Sequence, residues 1–239
     1  MVYVSTHAGK RHCNSEDAVL VGTKVFHETD ATLPVPKRGF VCVADGVGGN
    51  DGGALASKAV LSSLAEWKYE IADLEIFLKE TNDNMIAAAL NGPAHQMATT
   101  LTGFLLGETN TVVHVGNTRA YVKQGRYLKQ ITSDHTTYNW LLSNGQFEAA
   151  ERCNKSEITN CFGGGNPALL SKLSIVECQQ FSLALLTTDG IHDYVSIDAI
   201  EDILVGDGSY SDKCEALIQK AIDEGSEDDM SVVIVCPFE

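Results

Sequence analysis

The chain has 239 residues, with 32 Asp and Glu against 17 Lys and Arg, for a formal net charge of −15. A hydrophobic fraction of 44% and a charged fraction of 21% exclude wholesale disorder, and the length allows one large or two small domains with a real core. The acid surplus excludes phosphate-dominated nucleic-acid binding and a basic membrane-surface protein.

In chain order, Val2–Thr6, Ala18–Val25 and Gly39–Ala44 read as strands, with a loop from about His27 to Lys37 punctuated by Pro34 and Pro36. Ala56, Val60, Leu64 and Trp67 share one face of a helix that Asp51 is placed to cap, and Leu74, Phe77, Leu78, Thr81 and Met85 mark a second. Thr99–Leu106, Thr111–Val115, Ala120–Lys123 and Tyr127–Ile131 read as antiparallel hairpins, and Tyr138 to Asn160 as short helices. Strands return at Leu173–Glu177 and Leu183–Thr187. A helix from about Asp212 to Glu224 follows, with Leu217, Ile218, Ala221 and Ile222 on its buried side, then a last strand, Met230–Cys236. Strands in blocks and helices in pairs predict an α+β fold of antiparallel sheets covered by helices.

No run approaches the ~20 apolar residues a bilayer needs. The start, Met1 to Thr6, lacks a basic segment followed by an apolar one, so no secretory signal is expected. The seven cysteines are odd in number and include no C-x-x-C pair, which argues against a zinc ribbon or a disulfide scaffold. Cys42 and Cys236 lie in apolar runs, where a thiol behaves as a small hydrophobe. A reduced, cytoplasmic chain is expected.

Three aspartates share one context. Asp45 follows the apolar run Phe40–Ala44, Asp189 follows Leu183–Thr188, and Asp228 precedes Met230–Cys236. Each is expected at the end of a buried strand, and Gly46 and Gly190 are expected to let the backbone turn sharply after their aspartates, leaving a carbonyl accessible. Glu16-Asp17 precedes another strand. A lone Asp-Gly is an ordinary turn. Several carboxylates on one sheet edge repel one another unless a cation lies between them, and all-oxygen ligands select Mg²⁺ or Mn²⁺ over zinc.

The ordered motifs resemble the metal-dependent Ser/Thr protein phosphatases of type 2C, particularly the compact bacterial ones. They are Thr6-His7-Ala8-Gly9, Asn14-Ser15-Glu16-Asp17, Ala44-Asp45-Gly46-Val47-Gly48-Gly49, Ala98-Thr99-Thr100, Val115-Gly116-Asn117-Thr118-Arg119-Ala120-Tyr121, Ser133-Asp134-His135-Thr136, Leu186-Thr187-Thr188-Asp189-Gly190-Ile191-His192-Asp193 and Gly225-Ser226-Glu227-Asp228-Asp229-Met230-Ser231-Val232. The resemblance implies a four-layer α-β-β-α sandwich, two antiparallel sheets flanked by helices, as a single catalytic domain over 1–239 with a flap over about 138–165. It implies two Mg²⁺ or Mn²⁺ ions at one edge of the sandwich: Asp45 bridging both, Asp189 and Asp228 completing one ion's ligands, the Gly46 carbonyl on the other, and Glu16 and Asp17 holding its waters. It also implies hydrolysis of phosphoserine and phosphothreonine on proteins by a bridging water that the two ions activate, opposing a Ser/Thr kinase.

The sequence departs from the family at several places. His12 stands where the family has an Arg that grips the substrate phosphate, with Arg11 beside it as a phosphate contact or a solvated surface charge. Asn117 replaces an Asp of the third metal site, leaving Asp193, so a third ion is expected to be weak or absent. Asp229 stands where Asn usually follows the last ligand, and Val47 where many eukaryotic members have a His. His135 and His192 are read as local hydrogen-bonding residues, with proton donation as the alternative. Two other functions fit the same residues: a pseudophosphatase that binds phosphorylated partners, motivated by His12 and Asn117, and a small phosphoester hydrolase. Nothing in the sequence indicates an oligomer.

Overall fold

The computed structural model describes residues 1–11, 13–47, 52–68, 70–91 and 97–237. Strands β1 (Val2–His7), β2 (Ala18–Val21), β3 (Lys24–Phe26), β4 (Asp30–Leu33), β5 (Gly39–Ala44) and β6 (Gly46–Val47) precede helices α1 (Gly52–Glu66) and α2 (Leu74–Asn91). Next come β7 (Ala98–Thr99), β8 (Leu101–Leu106), β9 (Asn110–Val115), β10 (Arg119–Gln124), β11 (Tyr127–Gln130), α3 (Thr137–Ser143) and α4 (Phe147–Ala150). The chain finishes with β12 (Phe162–Gly163), β13 (Ser174–Cys178), β14 (Ala184–Thr187), α5 (Asp189–His192), α6 (Ile197–Val205), α7 (Tyr210–Asp223) and β15 (Met230–Val235).

Two six-stranded antiparallel sheets result, ordered β11-β10-β14-β15-β1-β4 and β13-β9-β8-β5-β2-β3. Alternation along the strands sorts their side chains into three cores. Val19, Val41, Val43 and Phe104 of one sheet meet Val2, Val4, Leu186 and Val233 of the other. The opposite faces, such as Leu20, Cys42 and Leu101, pack on Ala56, Val60, Leu64 and Leu78 of α1 and α2. Leu185, Val232 and Ile234 pack on Ile200, Leu204, Leu217 and Ile218 of α6 and α7. This is the expected four-layer α-β-β-α sandwich. Both faces of the central strands are covered, which is why they read as continuous apolar runs. Among the described residues no helix is long and apolar enough to cross a membrane.

Several local expectations differ. Ala18–Val25 is a hairpin rather than one strand, because Gly22 at φ +63° reverses the chain between β2 and β3. The expected loop after His27 contains β4, which extends the sheet at β1. Strands β9 and β10 do not pair; the chain crosses between sheets at Gly116, whose φ is +103°. Helix α6 was not expected: it is short, and it starts where the Ser196 hydroxyl accepts the N–H of Ala199. Helix α7 starts with a reciprocal Ser209–Asp212 capping box. Ile222, expected to be buried on α7, is 38% exposed because it lies past the contact face set by Leu217, Ile218 and Ala221. Asp51, the expected cap of α1, lies outside the described residues.

Candidate active site

The ends of β5 and β14, the start of β15 and the segment before β2 meet at one rim of the sandwich. Asp45 ends β5. Its N–H donates to Thr100 Oγ1 (3.0 Å), and its carbonyl accepts from Thr100 N (2.9 Å) and Thr99 Oγ1 (2.8 Å), so Ala98-Thr99-Thr100 fixes its backbone. Among the described residues no hydrogen-bond donor reaches its carboxylate. Asp189 opens α5 and accepts the Asn117 amide at 2.9 Å. Asp228 is partly buried and pairs with the Arg11 guanidinium at 2.8 Å. Asp17 is fully buried; one carboxylate oxygen accepts from Thr188 Oγ1 (2.8 Å), and the other, Oδ1, has no donor. Glu16 is buried, its carboxylate against Gly53 at the start of α1.

Glycine is required beside these aspartates for room rather than for an unusual φ, which corrects the turn expected from the sequence. Neither Gly46 nor Gly190 adopts the left-handed backbone. A Cβ on Gly46 would lie 2.3 Å from the Gly53 carbonyl group, and one on Gly190 would lie 2.0 Å from the Asp229 carbonyl oxygen. The strand ends and helix starts touch backbone to backbone, and this draws the acids together.

Electrostatics record the crowding. Burial, then Asp189, Asp17, Asp228 and Asp229, hold the Asp45 carboxyl well above the ordinary carboxylate range. Burial, then Asp228 and Asp193, push Asp189 up to about 6, against the lowering effect of the Asn117 hydrogen bond. Burial raises Asp17 despite its hydroxyl partners, with Asp229 and Asp189 adding to the rise. Among the described residues no group of three acidic, His or Cys side chains closes tightly enough to form a finished metal cage. The acids lie within electrostatic reach of one another, with Asp228 paired to Arg11.

The oxygen-only donor set and the donorless buried Asp17 Oδ1 fit hard divalent cations and their waters. The third-metal pair is otherwise engaged. Asn117 binds Asp189, and the exposed Asp193 accepts Ser156 Oγ at 3.0 Å. Both line a polar cavity of about 250 Å³ with Tyr138, Lys155 and Ser156 of the flap. Arg11 sits at the rim, and His12 lies outside the described residues.

His192 and His135 serve local structure. Thr187 Oγ1 contacts His192 Nδ1 at 2.8 Å, and burial, then Arg119, hold that imidazole neutral. His135 Nδ1 accepts from Gly116 N (3.2 Å) and the Asn160 amide (2.7 Å), and burial, then His114 and Lys172, lower it to about 4.

Two features were not legible in the sequence. Asp229 is 4% exposed and accepts the N–H groups of Gly9 and Glu16. A three-stranded sheet, β12-β7-β6, ties the end of the flap to the residues that follow Asp45. A two-residue strand carries no period to read, and Asp229 is one acid among four in Glu227-Asp228-Asp229 and its neighbourhood at Glu224.

No protein-family model matches the chain. A serine/threonine phosphatase, stp, of Listeria welshimeri is 30% identical over 215 residues, 82% of this chain and 83% of that protein. The crystal structure of the serine/threonine phosphatase Stp1 from Staphylococcus aureus superposes with a TM-score of 0.79 at 27% identity, covering 98% of this chain and 94% of that one. That of the Mycobacterium tuberculosis serine/threonine phosphatase PstP/Ppp gives 0.80 at 25% identity, covering 98% and 97%. Fold, rim and relatives define a protein phosphatase, an enzyme of dephosphorylation. The chain belongs to the bacterial type 2C serine/threonine phosphatase family.

Proposed function

We propose that residues 1–239 act as one catalytic domain that hydrolyses phosphoserine and phosphothreonine on proteins and requires Mg²⁺ or Mn²⁺. The observation that carries this reading is the gathering of Asp45, Asp189, Asp228 and Asp17 at one rim, where burial first and neighbouring acids second raise the Asp45, Asp189 and Asp17 carboxyls and where Asp17 Oδ1 lacks a donor. Asp45, Asp189, Asp228 and the Gly46 carbonyl would hold two ions, with Glu16 and Asp17 on their waters; a third ion at Asn117 and Asp193 would be weak or absent. Bound there, such ions would supply an acidified water for attack at phosphorus and would neutralise the phosphate oxygens.

The chain's own residues do the rest. Arg11 offers a guanidinium at the rim, where a phosphate oxygen competes with Asp228 for it. The Asn117 amide fixes the orientation of the Asp189 carboxylate. Burial holds His135 and His192 neutral, so neither supplies an imidazolium to the leaving oxygen. Burial pushes the Cys214 thiol up to about 12 and raises Cys42 as well, so neither is a thiolate nucleophile. Tyr138, Lys155 and Ser156 of the flap line the polar cavity beside Asn117, where residues flanking a phosphorylated side chain would bind. A monomer in the cytoplasm that opposes a Ser/Thr kinase is the setting this reading fits.

The test is release of phosphate from a phosphothreonine peptide with Mn²⁺ or Mg²⁺ and with EDTA. Turnover only with metal is expected, and equal rates in EDTA refute the metal requirement. A kcat/KM on a nucleotide or a simple aryl phosphate exceeding that on the peptide refutes the protein substrate.

A further inference from the structure

The segment from Gly9 to Glu16, which carries Arg11, is moored to one tripeptide, Glu227-Asp228-Asp229. Gly9 N donates to Asp229 Oδ1 at 2.8 Å and Glu16 N to Asp229 Oδ2 at 2.6 Å. Between them, Arg11 N donates to the Glu227 carbonyl at 3.1 Å, and the Arg11 guanidinium meets Asp228 at 2.8 Å. The fit at Gly9 is close: a Cβ there would lie 2.3 Å from the Asp228 carbonyl group. Asp229 is buried at 4% exposure, so water does not substitute for either hydrogen bond. Each carboxylate oxygen thus holds one end of the segment. An amide in the same place has one acceptor oxygen, and its NH₂ would face an N–H, donor against donor.

We propose that Asp229 is the positioning residue of the substrate-phosphate segment: its two oxygens clamp Gly9 and Glu16 so that Arg11 is presented at the rim. The inference rests on the phosphatase reading above. Asp229 touches no reacting atom and acts through Arg11. Asparagine is the residue that the family resemblance places here, yet in this chain Asp229→Asn removes one of the two moorings.

A double-mutant cycle tests this, with kcat and KM measured on a phosphothreonine peptide at saturating Mn²⁺. Asp229→Asn is expected to raise KM about 10-fold, the loss of one hydrogen bond to a charged group, with kcat within about 3-fold. Arg11→Ala is expected to raise KM as well, and adding Asp229→Asn to it is expected to change KM no further. Gly9→Ala strikes the same mooring from the other side; because its Cβ also meets the Asp228 backbone, kcat is expected to fall as well, and its readout is that it raises KM no further in the Arg11→Ala background, so a poorly folding Asp229 variant does not shield the inference. Hydrogen exchange of the folded Asp229→Asn variant is expected to show lost protection at one of the Gly9 and Glu16 amides, the one that faces the introduced NH₂. Additive effects on KM, or a fall in kcat with KM unchanged, overturn the inference while leaving the phosphatase reading in place. Absence of metal-dependent turnover in the unaltered protein overturns both.

Discussion

Phe104 at the middle of the inter-sheet core is fully buried and packs on Phe181 with 4.9 Å between ring centroids. Trp140 and Phe147 on the flap are 57% and 65% exposed. The sandwich is held by apolar layers on both faces of its sheets. The flap is held at its neck by hydrogen bonds: His135 N to the Gly116 carbonyl (2.7 Å), Thr159 N to the His135 carbonyl (2.9 Å) and Thr137 N to the Glu157 carbonyl (2.9 Å). The Asn160 side chain then joins the flap's end to Ser171 and Lys172. The site lies where the two regimes meet: the frame fixes the acids, and a polar, shallowly packed segment borders them. The acids thus sit on the closely packed frame, while the bordering segment has fewer buried apolar contacts and opens more easily.

The comparison can be broken first at the rim. Asp45→Asn is expected to lower kcat/KM on a phosphothreonine peptide by at least about 10³-fold, since several kcal/mol of charge stabilisation is lost. The same variant's Tm in EDTA is expected not to fall, because a charge crowded by other acids has been removed; a fall would mean that the acids are not in mutual repulsion. Striking the frame comes next. Phe104→Ala is expected to cost about 3–5 kcal/mol in urea unfolding.

The joint between frame and flap is the Arg119–Asp134 pair, made through Arg119 Nε and Nη2 at 2.7–3.1 Å, with side chains 25% and 8% exposed. Asp134→Ala leaves a mostly buried guanidinium unpaired and is expected to cost about 2–3 kcal/mol, somewhat less than for a fully buried pair. A cost under about 0.5 kcal/mol would remove this pair as the joint.

A subtler contrast is pH dependence without metal. The folded Asp189 value of about 6 exceeds its ordinary 3.8, so protonation favours the folded state. That stabilisation is complete below about pH 3.8 and is lost as pH rises through about 6. In EDTA, Tm is expected to decline between about pH 4 and 6, and Asp189→Asn is expected to flatten that decline. Saturating Mn²⁺ is expected to reverse it, because metal binds the deprotonated acids. The smallest effect belongs to the flap surface. Trp140→Ala and Phe147→Ala are each expected to stay within about 0.5 kcal/mol in urea unfolding; a cost near that of Phe104→Ala would erase the distinction between the regions.

Much of this is legible in the sequence. Continuous apolar runs bounded by Asp and Gly marked β5, β14 and β15, because strands buried on both faces have no polar alternation to hide them. The positions of Asp45, Asp189 and Asp228 at their ends followed from the same runs. Less was legible where an element is short or its cause is distant. Strand β4 is polar and half exposed, β6, β7 and β12 are two residues each, and α6 depends on its packing against Ile218 and Leu217 for its place.

The sequence by itself determined the layered frame and the identity of the acids, because both are written in local periodicity and in residue type. Only the tertiary structure decided that Gly46 and Gly190 serve backbone contact rather than turn conformation. It alone decided that Asn117 grips Asp189, that Arg11 reaches Asp228, and that both oxygens of Asp229 hold the segment beginning at Gly9. Each of these joins residues from 70 to more than 200 positions apart, or depends on a steric contact made only when strand ends meet. Such partners leave no mark in local sequence, since nothing nearby in the chain has to change to accommodate them.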